Sequence, residues 1–556
     1  MGGTTDVEEA AGGAAGSVPL ASTCANDADC DDQLVCNGVE VCVDGACAAG
    51  TAVACAHSTT CLESTATCGY TDSSAWLVYQ ADEDTPGLDE LYAVRQSLIG
   101  VQTPIKISAS LPHAPLEHPT SISFVWSADG QWLSFGSTEL NDTVSTRFYG
   151  VRFDHGIPQT PIALAGDLLA VSSISWSPTG HDLLVRGGWN NLYWVHLHDR
   201  TADAPVQINP VVQNVRYAFW ATSGSILYVT YEGLAYRAVI DAIPLPSPVQ
   251  MTSESPYSVE FGWASADGAW AVLAGTNRDW WLGNVNAGQI QRVTESALDP
   301  TNVSLQFSPN SRYLVYAAGE QLETQTELYL VDLNNARRSR IAVAQMRRAG
   351  DLLGTWSLDS SFFTYFGDPR NRQSGQRSIN VYDVASNQSS GTNHDVGRDD
   401  GVVGFAPDRA NPLYTVKHAS TSSELVSIDA RGRGLTFHED AAGRTYSAAE
   451  FAADGSAALY CLTVPGDQLT DMVYQDRRGA SPAQPVRLPG DGSVYSCSKG
   501  FAPDSKGFVY YRLAPDGART LHWVDTTKQT MAKPKPISRD GRVQFYAWQP
   551  RAQAGN

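Results

Sequence analysis

The chain has 556 residues, 42% of them hydrophobic and 17% charged, enough apolar material for a large packed core. Its formal net charge is −21. That acidity argues against nucleic acid and anionic membrane surfaces as partners, since both require a basic patch, and no apolar run reaches the roughly 18 residues of a transmembrane helix.

Residues 1–23 are rich in Gly, Ala, Thr, Ser and Glu, carry no apolar periodicity, and read as a flexible tether. Eight of the ten cysteines then crowd into residues 24–70: Cys24, Cys30, Cys36, Cys42, Cys47, Cys55, Cys61 and Cys68. This stretch has almost no large apolar side chains, so disulfides are the expected staple, four of them, with a pairing that spacing leaves open. Zinc fits poorly, because there is no CxxC pair and only His57 lies nearby. Asp27, Asp29, Asp31 and Asp32 can offer oxygen ligands to calcium. A solvated acidic loop is the plainer alternative.

From residue 71 to residue 550 one phrase recurs: an aromatic residue, a small or polar residue, turn formers, then an apolar strand. It stands at Trp126, Trp176, Trp220, Trp263, Phe307, Trp356, Phe405, Phe451, Phe501 and Trp548. The intervals of about 43 to 50 residues are those of four-stranded propeller blades. About 25 residues after each phrase comes a second strand signal, such as Leu328-Tyr329-Leu330-Val331-Asp332 or Leu521-His522-Trp523-Val524-Asp525. A four-stranded blade cannot cover its two apolar faces alone, whereas blades stacked around an axis cover both. Each phrase aromatic is therefore expected to fill the wedge between neighbouring blades. The fold class is all-β, a propeller of about ten units. The chain enters at Trp76–Tyr79, a second strand, and leaves at Val543–Trp548, a first strand, so the last strand is expected to complete the first blade and remove the open edge. Residues 551–556 form a short tail. The remaining pair, Cys461 and Cys497, falls in adjacent units and is expected to be bridged.

Candidate chemistry within the repeat is sparse. GxSxG, HExxH, Walker A and GxGxxG motifs are all missing from the sequence. His196 and His198 lie at i and i+2 of one strand and share a face, where two imidazoles can hold a metal or simply act as strand polar groups. His113 and His118 flank a Pro-rich connector. Asp82, Glu83, Asp84, Asp89 and Glu90 read as a charged hairpin tip, with calcium or docking as the alternatives. Residues 371–375 and 387–400 read as long polar loops, and such loops on a rigid ring often carry function. Trp189, Trp280 and Trp281 read as blade packing, with stacking on a sugar or peptide as the alternative.

The phrase resembles the TolB-like repeat of WD-type propellers. The closest copies are Trp176-Ser177-Pro178, Phe307-Ser308-Pro309-Asn310, Phe405-Ala406-Pro407-Asp408 and Phe501-Ala502-Pro503-Asp504. The segment from Cys24 to Cys42 resembles small Cys-rich repeats of exported bacterial proteins. The Gly-Gly start with its small-residue spacer resembles a mature lipoprotein just after its lipidated Cys. These resemblances imply export to the periplasm or outer surface, a lipid anchor, and binding of a protein or glycan partner without catalysis. They transfer no catalytic residues. The alternatives are a propeller-type polysaccharide lyase or hydrolase with a histidine and metal site at the ring axis, and a structural subunit of a cell-surface assembly.

Overall fold

A computed structural model describes residues 23–550. Outside the description lie residues 54–59, 109–123, 253–258, 294–304, 345–352, 368–376, 397–401, 406–411, 464–469, 479–485, 489–499 and some shorter stretches; for residues 402–449 only the strand backbone is described. The chain divides into two compact units, Met1–Ser73 with Phe153–Ile157, and Ser74–Arg152 with Pro158–Asn556.

In the first unit two short hairpins stand on a disulfide frame. Val41–Val43 pairs with Ala46–Ala48, and Thr60–Leu62 with Thr67–Gly69. Disulfides join Cys24 to Cys42, Cys30 to Cys47 and Cys36 to Cys61. Cys55 lies outside the described residues, and only the backbone of Cys68 is described. Among the described residues of the Cys-rich stretch 24–70 only Cys30 and Glu40 are buried, so covalent links stand in for an apolar core.

Among the described residues the second unit contains ten antiparallel sheets, one per sequence repeat; the strands pair in chain order except in blade 1, which begins with the last strand, and in blade 2, where Ile157–Pro158 and Ile162–Ala163 both pair with Asp142–Asp154. Blade 3 is representative: Ser173–Trp176, Asp182–Gly187, Asn191–His196 and Val206–Gln207. Blade 1 is completed by the last strand of the chain. Arg542–Trp548 pairs antiparallel with Trp76–Asp82, with an irregularity between Val543 and Phe545. The predicted closure is thus present.

The second strands are near-continuous apolar runs because both of their faces are covered. Successive residues face opposite neighbours. Leu183 and Val185 pack with Trp132 of blade 2, whereas Leu184 packs with Ile226 and Tyr228 of blade 4. Leu227 and Val229 turn the other way, toward Leu273 and Trp281 of blade 5. The same relay joins blades 5 and 6 through Trp280 and Tyr316, and blades 6 and 7 through Val315 and Phe363. It joins blades 9 and 10 through Tyr474 and Phe508, and blades 10 and 1 through Trp523, Tyr79 and Val543. First strands of blades 7, 8 and 9 adjoin in turn. Gln549 ties blade 1 to blade 2, its Nε2 donating to the Gly130 carbonyl at 2.6 Å. Each sheet therefore meets the next and the tenth meets the first, which makes one ring.

The polar stretch from residue 387 is not the long loop that its composition predicts. Gln388–Val396 is the fourth strand of blade 7, paired with Arg377–Asp383. An outermost strand has no blade beyond it, so a Ser/Gly/Asn sequence is tolerated there. Residues 371–375 lie outside the description.

One buried base gives the ring an acid sensitivity. His522, 9% exposed in blade 10, stacks on Tyr510. Burial, reinforced by the nearby Arg512 charge, holds its imidazole down to about 4. The unfolded chain takes up that proton near pH 6.5, so the stabilisation is complete above 6.5 and is lost as pH falls toward 4. This loss amounts to about 2 kcal/mol between pH 7 and pH 5. Denaturant unfolding of His522→Gln is expected to lack this component; an unchanged pH slope in the variant would assign the sensitivity elsewhere.

Candidate functional site

The repeated phrase builds the hub. Where the phrase carries a serine, as at Ser127, Ser265 and Ser357, that serine is buried and accepts a hydrogen bond from the backbone N–H that opens the next strand: Trp132 to Ser127 at 2.9 Å, Trp270 to Ser265 at 3.0 Å, Phe362 to Ser357 at 2.9 Å. The hydroxyl in turn donates to the turn Asp or Asn, as Ser308 does to Asn310 at 2.7 Å. The fourth turn position requires the left-handed region. Gly130, Gly180, Gly268 and Gly455 supply it, but Ser311, Ser360 and Ser505 also adopt it, at φ of 58°, 62° and 61°. Those serines have a use: each Oγ accepts the backbone N–H of the preceding blade's turn, from Asp267, Asn310 and Asp454 at 3.0, 3.0 and 3.2 Å.

Phrase aromatics among the described residues, such as Trp176, Trp220, Trp356, Phe501 and Trp548, pack between blades as expected, and three of them bond across the seam. The indole N–H of Trp176 donates to the Val125 carbonyl at 3.1 Å, that of Trp220 to Ser175 at 3.2 Å, and that of Trp548 to Gly500 at 3.2 Å. In each case the acceptor is the residue just before the preceding blade's own phrase aromatic. Other groups cross other seams: Gln306 donates to the Gly354 carbonyl between blades 6 and 7, and at the Phe501 seam Glu450 accepts the Gly500 N–H.

These bonds hold the first strands close together at the hub, yet leave them less covered than the second strands. Val125 is 43% exposed and Phe545 48% exposed, and Tyr217, Phe219, Gln306, Thr355 and Glu450 are half-buried. Arg216 lies over the Tyr217 ring at 5.4 Å. Among the described residues the first strands thus present aromatic, aliphatic and neutral polar side chains together with the charged Arg216, Glu450 and Arg542. A crevice of about 340 Å³ opens between blades 6 and 7, lined by Arg312, Tyr313, Asp332, Tyr382 and Asn387 among others. There the Arg312 guanidinium stacks over Tyr313 and pairs with Asp332 at 3.1 Å. Partial burial alone would raise the Asp332 carboxyl, but the hydrogen bond from Arg312 and the backbone N–H of Asn334 hold it below the usual carboxylate range.

Several sequence candidates resolve into structural roles. His196 and His198 share a face, with their rings edge-on at 4.9 Å. Each pairs with its own carboxylate, however, Asp182 at 2.8 Å and Asp203 at 3.0 Å. The acids of blade 1 are not an open hairpin tip. Asp89 is buried against Gln80, and Glu90 is buried against Tyr92 and Lys106. Glu83 accepts the Arg539 N–H, and Asp84 pairs with the Arg539 guanidinium at 3.2 Å. Burial pushes the carboxyls of Asp89 and Glu83 up. Trp280 and Trp281 are core residues. His113, His118 and Trp189 lie outside the described residues. Cys461 is buried and disulfide-bonded; Cys497 is outside the description.

The four module aspartates divide into two pairs. Asp27 Oδ1 accepts the Cys42 N–H at 2.8 Å, and Asp29 Oδ2 accepts the Ala25 and Asn26 N–H groups, so both carboxylates serve the backbone. Asp31 and Asp32 instead converge with Glu40, one carboxylate oxygen from each lying within 4.8 Å of the others. Glu40 went unrecognised in the sequence. The signal available was an Asn-Gly turn, Asn37-Gly38, two residues before a lone acid in a Cys-dense segment. That turn needs its glycine: Gly38 has φ +95°, and a Cβ there would stand 2.4 Å from the Thr51 carbonyl oxygen.

Among the described residues no helix is long and apolar enough to cross a membrane. No protein-family model and no curated protein sequence matches the chain. Similar solved structures include the β-propeller domain of Cps50 (Swd1) from Myceliophteria thermophila, at 12% identity and TM-score 0.32 over 54% of this chain and 94% of that one. The Dos1 propeller is 12% identical with TM-score 0.35, over 64% of this chain and 92% of that one. The dihydro-heme d1 dehydrogenase NirN in complex with DHE is 15% identical with TM-score 0.38, over 78% of each chain.

Proposed function

We propose that this chain is an exported binding protein of the TolB-like propeller kind, whose ring holds a protein segment or a glycan at its hub without altering it. The observation that carries this reading is the partly uncovered first strands, with Val125, Tyr217 and Phe545 presented on a frame locked by seam hydrogen bonds. Preformed concave surfaces with aromatic bodies and a few polar groups suit peptides and sugars, and rigidity limits the ordering cost of binding. A disulfide-framed module supports export, since such links persist in oxidising compartments. A lipid-anchored tether over residues 1–23 fits the same setting.

The test is a binding screen of the purified chain against an oligosaccharide array and envelope proteins, with each ligand recovered and weighed by mass spectrometry. We expect saturable binding, an unchanged ligand, and at least a tenfold loss (about 1.4 kcal/mol) in the double variant Tyr217→Asp, Phe545→Asp at near-constant melting temperature. Equal binding by the variant would move the site off the hub. A chemically altered ligand would replace this reading with the lyase or hydrolase reading.

A further inference from the structure

We propose that Asp31, Asp32 and Glu40, with the side-chain carbonyl of Asn37, form a calcium site in the disulfide-framed module. The carboxylate oxygens of the three acids lie within 4.8 Å of one another. Three anionic groups at that spacing repel unless a cation lies between them. Glu40 is 5% exposed, and its Oε1 is shielded from solvent with no hydrogen-bond partner. A carboxylate oxygen buried without a donor is costly, and a cation is the natural remedy. Asn37 repeats the pattern: its amide nitrogen donates to Asp32 Oδ2 at 2.8 Å, while its Oδ1 is buried and unpartnered. Asp32 is oriented twice, by Asn37 and by the Leu34 N–H on Oδ1 at 2.9 Å.

The donor set determines the metal class. Carboxylate and amide oxygens without nitrogen or sulfur select hard cations, and the irregular loop suits calcium, which accepts varied geometry, better than octahedral magnesium. Cys24, Cys30 and Cys47 also lie close together, but all three are spent in disulfides. Those bonds serve the site. Cys30 immediately precedes Asp31, Cys36 immediately precedes Asn37, and Cys42 stands two residues after Glu40, so all the proposed ligands are pinned beside covalent anchors. Asp27 and Asp29, the other two acids of the sequence motif, do not join this cluster, and each accepts backbone N–H groups elsewhere.

The experiment is calorimetric titration of the chelator-stripped full chain with calcium chloride, and separately with magnesium chloride. We expect one equivalent of calcium bound, with a dissociation constant on the order of 10⁻⁴ to 10⁻³ M as in extracellular modules, and weaker magnesium binding. Glu40→Gln keeps the shape and removes one charge, and it should weaken calcium at least tenfold. Without calcium the same variant should resist protease at the module better than the parent, because repulsion is relieved; with saturating calcium the order should reverse. Non-reducing peptide mapping confirms that its disulfides form. Asp27→Asn should keep the parent calcium affinity within about twofold. No calcium uptake by the parent chain, undiminished uptake by Glu40→Gln, or a variant less protease-resistant than the parent in both conditions would overturn the proposal.

Discussion

A chain ended at residue 540 is expected to lose its cooperative unfolding transition and to associate through the uncovered edge of blade 1. The missing strand contributes fully buried Val543 and the packed rings of Tyr546 and Trp548 to the seam between blades 1 and 10. It also carries the Trp548 bond to Gly500, and it leads into Gln549, which exchanges hydrogen bonds with Trp76 at 2.8 and 3.2 Å and reaches Gly130. Burial of one aliphatic and two aromatic side chains, with these bonds, stabilises by on the order of 5 kcal/mol or more. That is comparable to the net stability of a whole domain. The partner strand Trp76–Asp82 is buried along almost its full length, so its release exposes an apolar edge with unpaired N–H and C=O groups. Light scattering and calorimetry read the outcome, and a peptide of residues 541–550 added in trans should restore the transition. A truncated chain that stays monomeric with an unchanged melting temperature would show that closure rests on the other nine blades.

Thiol reduction is expected to separate the two units in behaviour. The three described disulfides span 18, 17 and 25 residues. Loops of this size restrict the unfolded chain by about 3 kcal/mol each in the loop-entropy account. Among its described residues the module buries only Cys30 and Glu40, so packing cannot replace that contribution. Limited proteolysis after reduction should cut within residues 24–70 first, with the ring intact at the same protease dose, and calcium uptake should disappear. A reduced module that resists cleavage would mean that something other than its disulfides holds it.

The division between what was legible and what was not follows chain distance. The ten blades, their strand order and the closing strand were legible because they rest on local patterns: runs of apolar residues, turn serines with Asp or Asn, and a phase mismatch between the two ends. The module's dependence on disulfides was equally legible, since eight cysteines among few large apolar residues leave no other core. The wrong assignment, a loop where Gln388–Val396 is a strand, came from composition, which reports polarity but not whether a blade edge is available to pair with.

The indole bonds from Trp176, Trp220 and Trp548 and the serine latches of Ser311, Ser360 and Ser505 join residues 44 to 51 positions apart, and the closing contact of Gln549 with Trp76 joins residues 473 apart. No local pattern specifies which carbonyl an indole will reach. The acid cluster divides the same way. The sequence by itself determined that four aspartates crowd the Cys-rich segment. Only the tertiary structure set Asp27 and Asp29 against backbone N–H groups and brought Glu40 beside Asp31 and Asp32, because hydrogen bonds and disulfides, not spacing, decide which carboxylates come together.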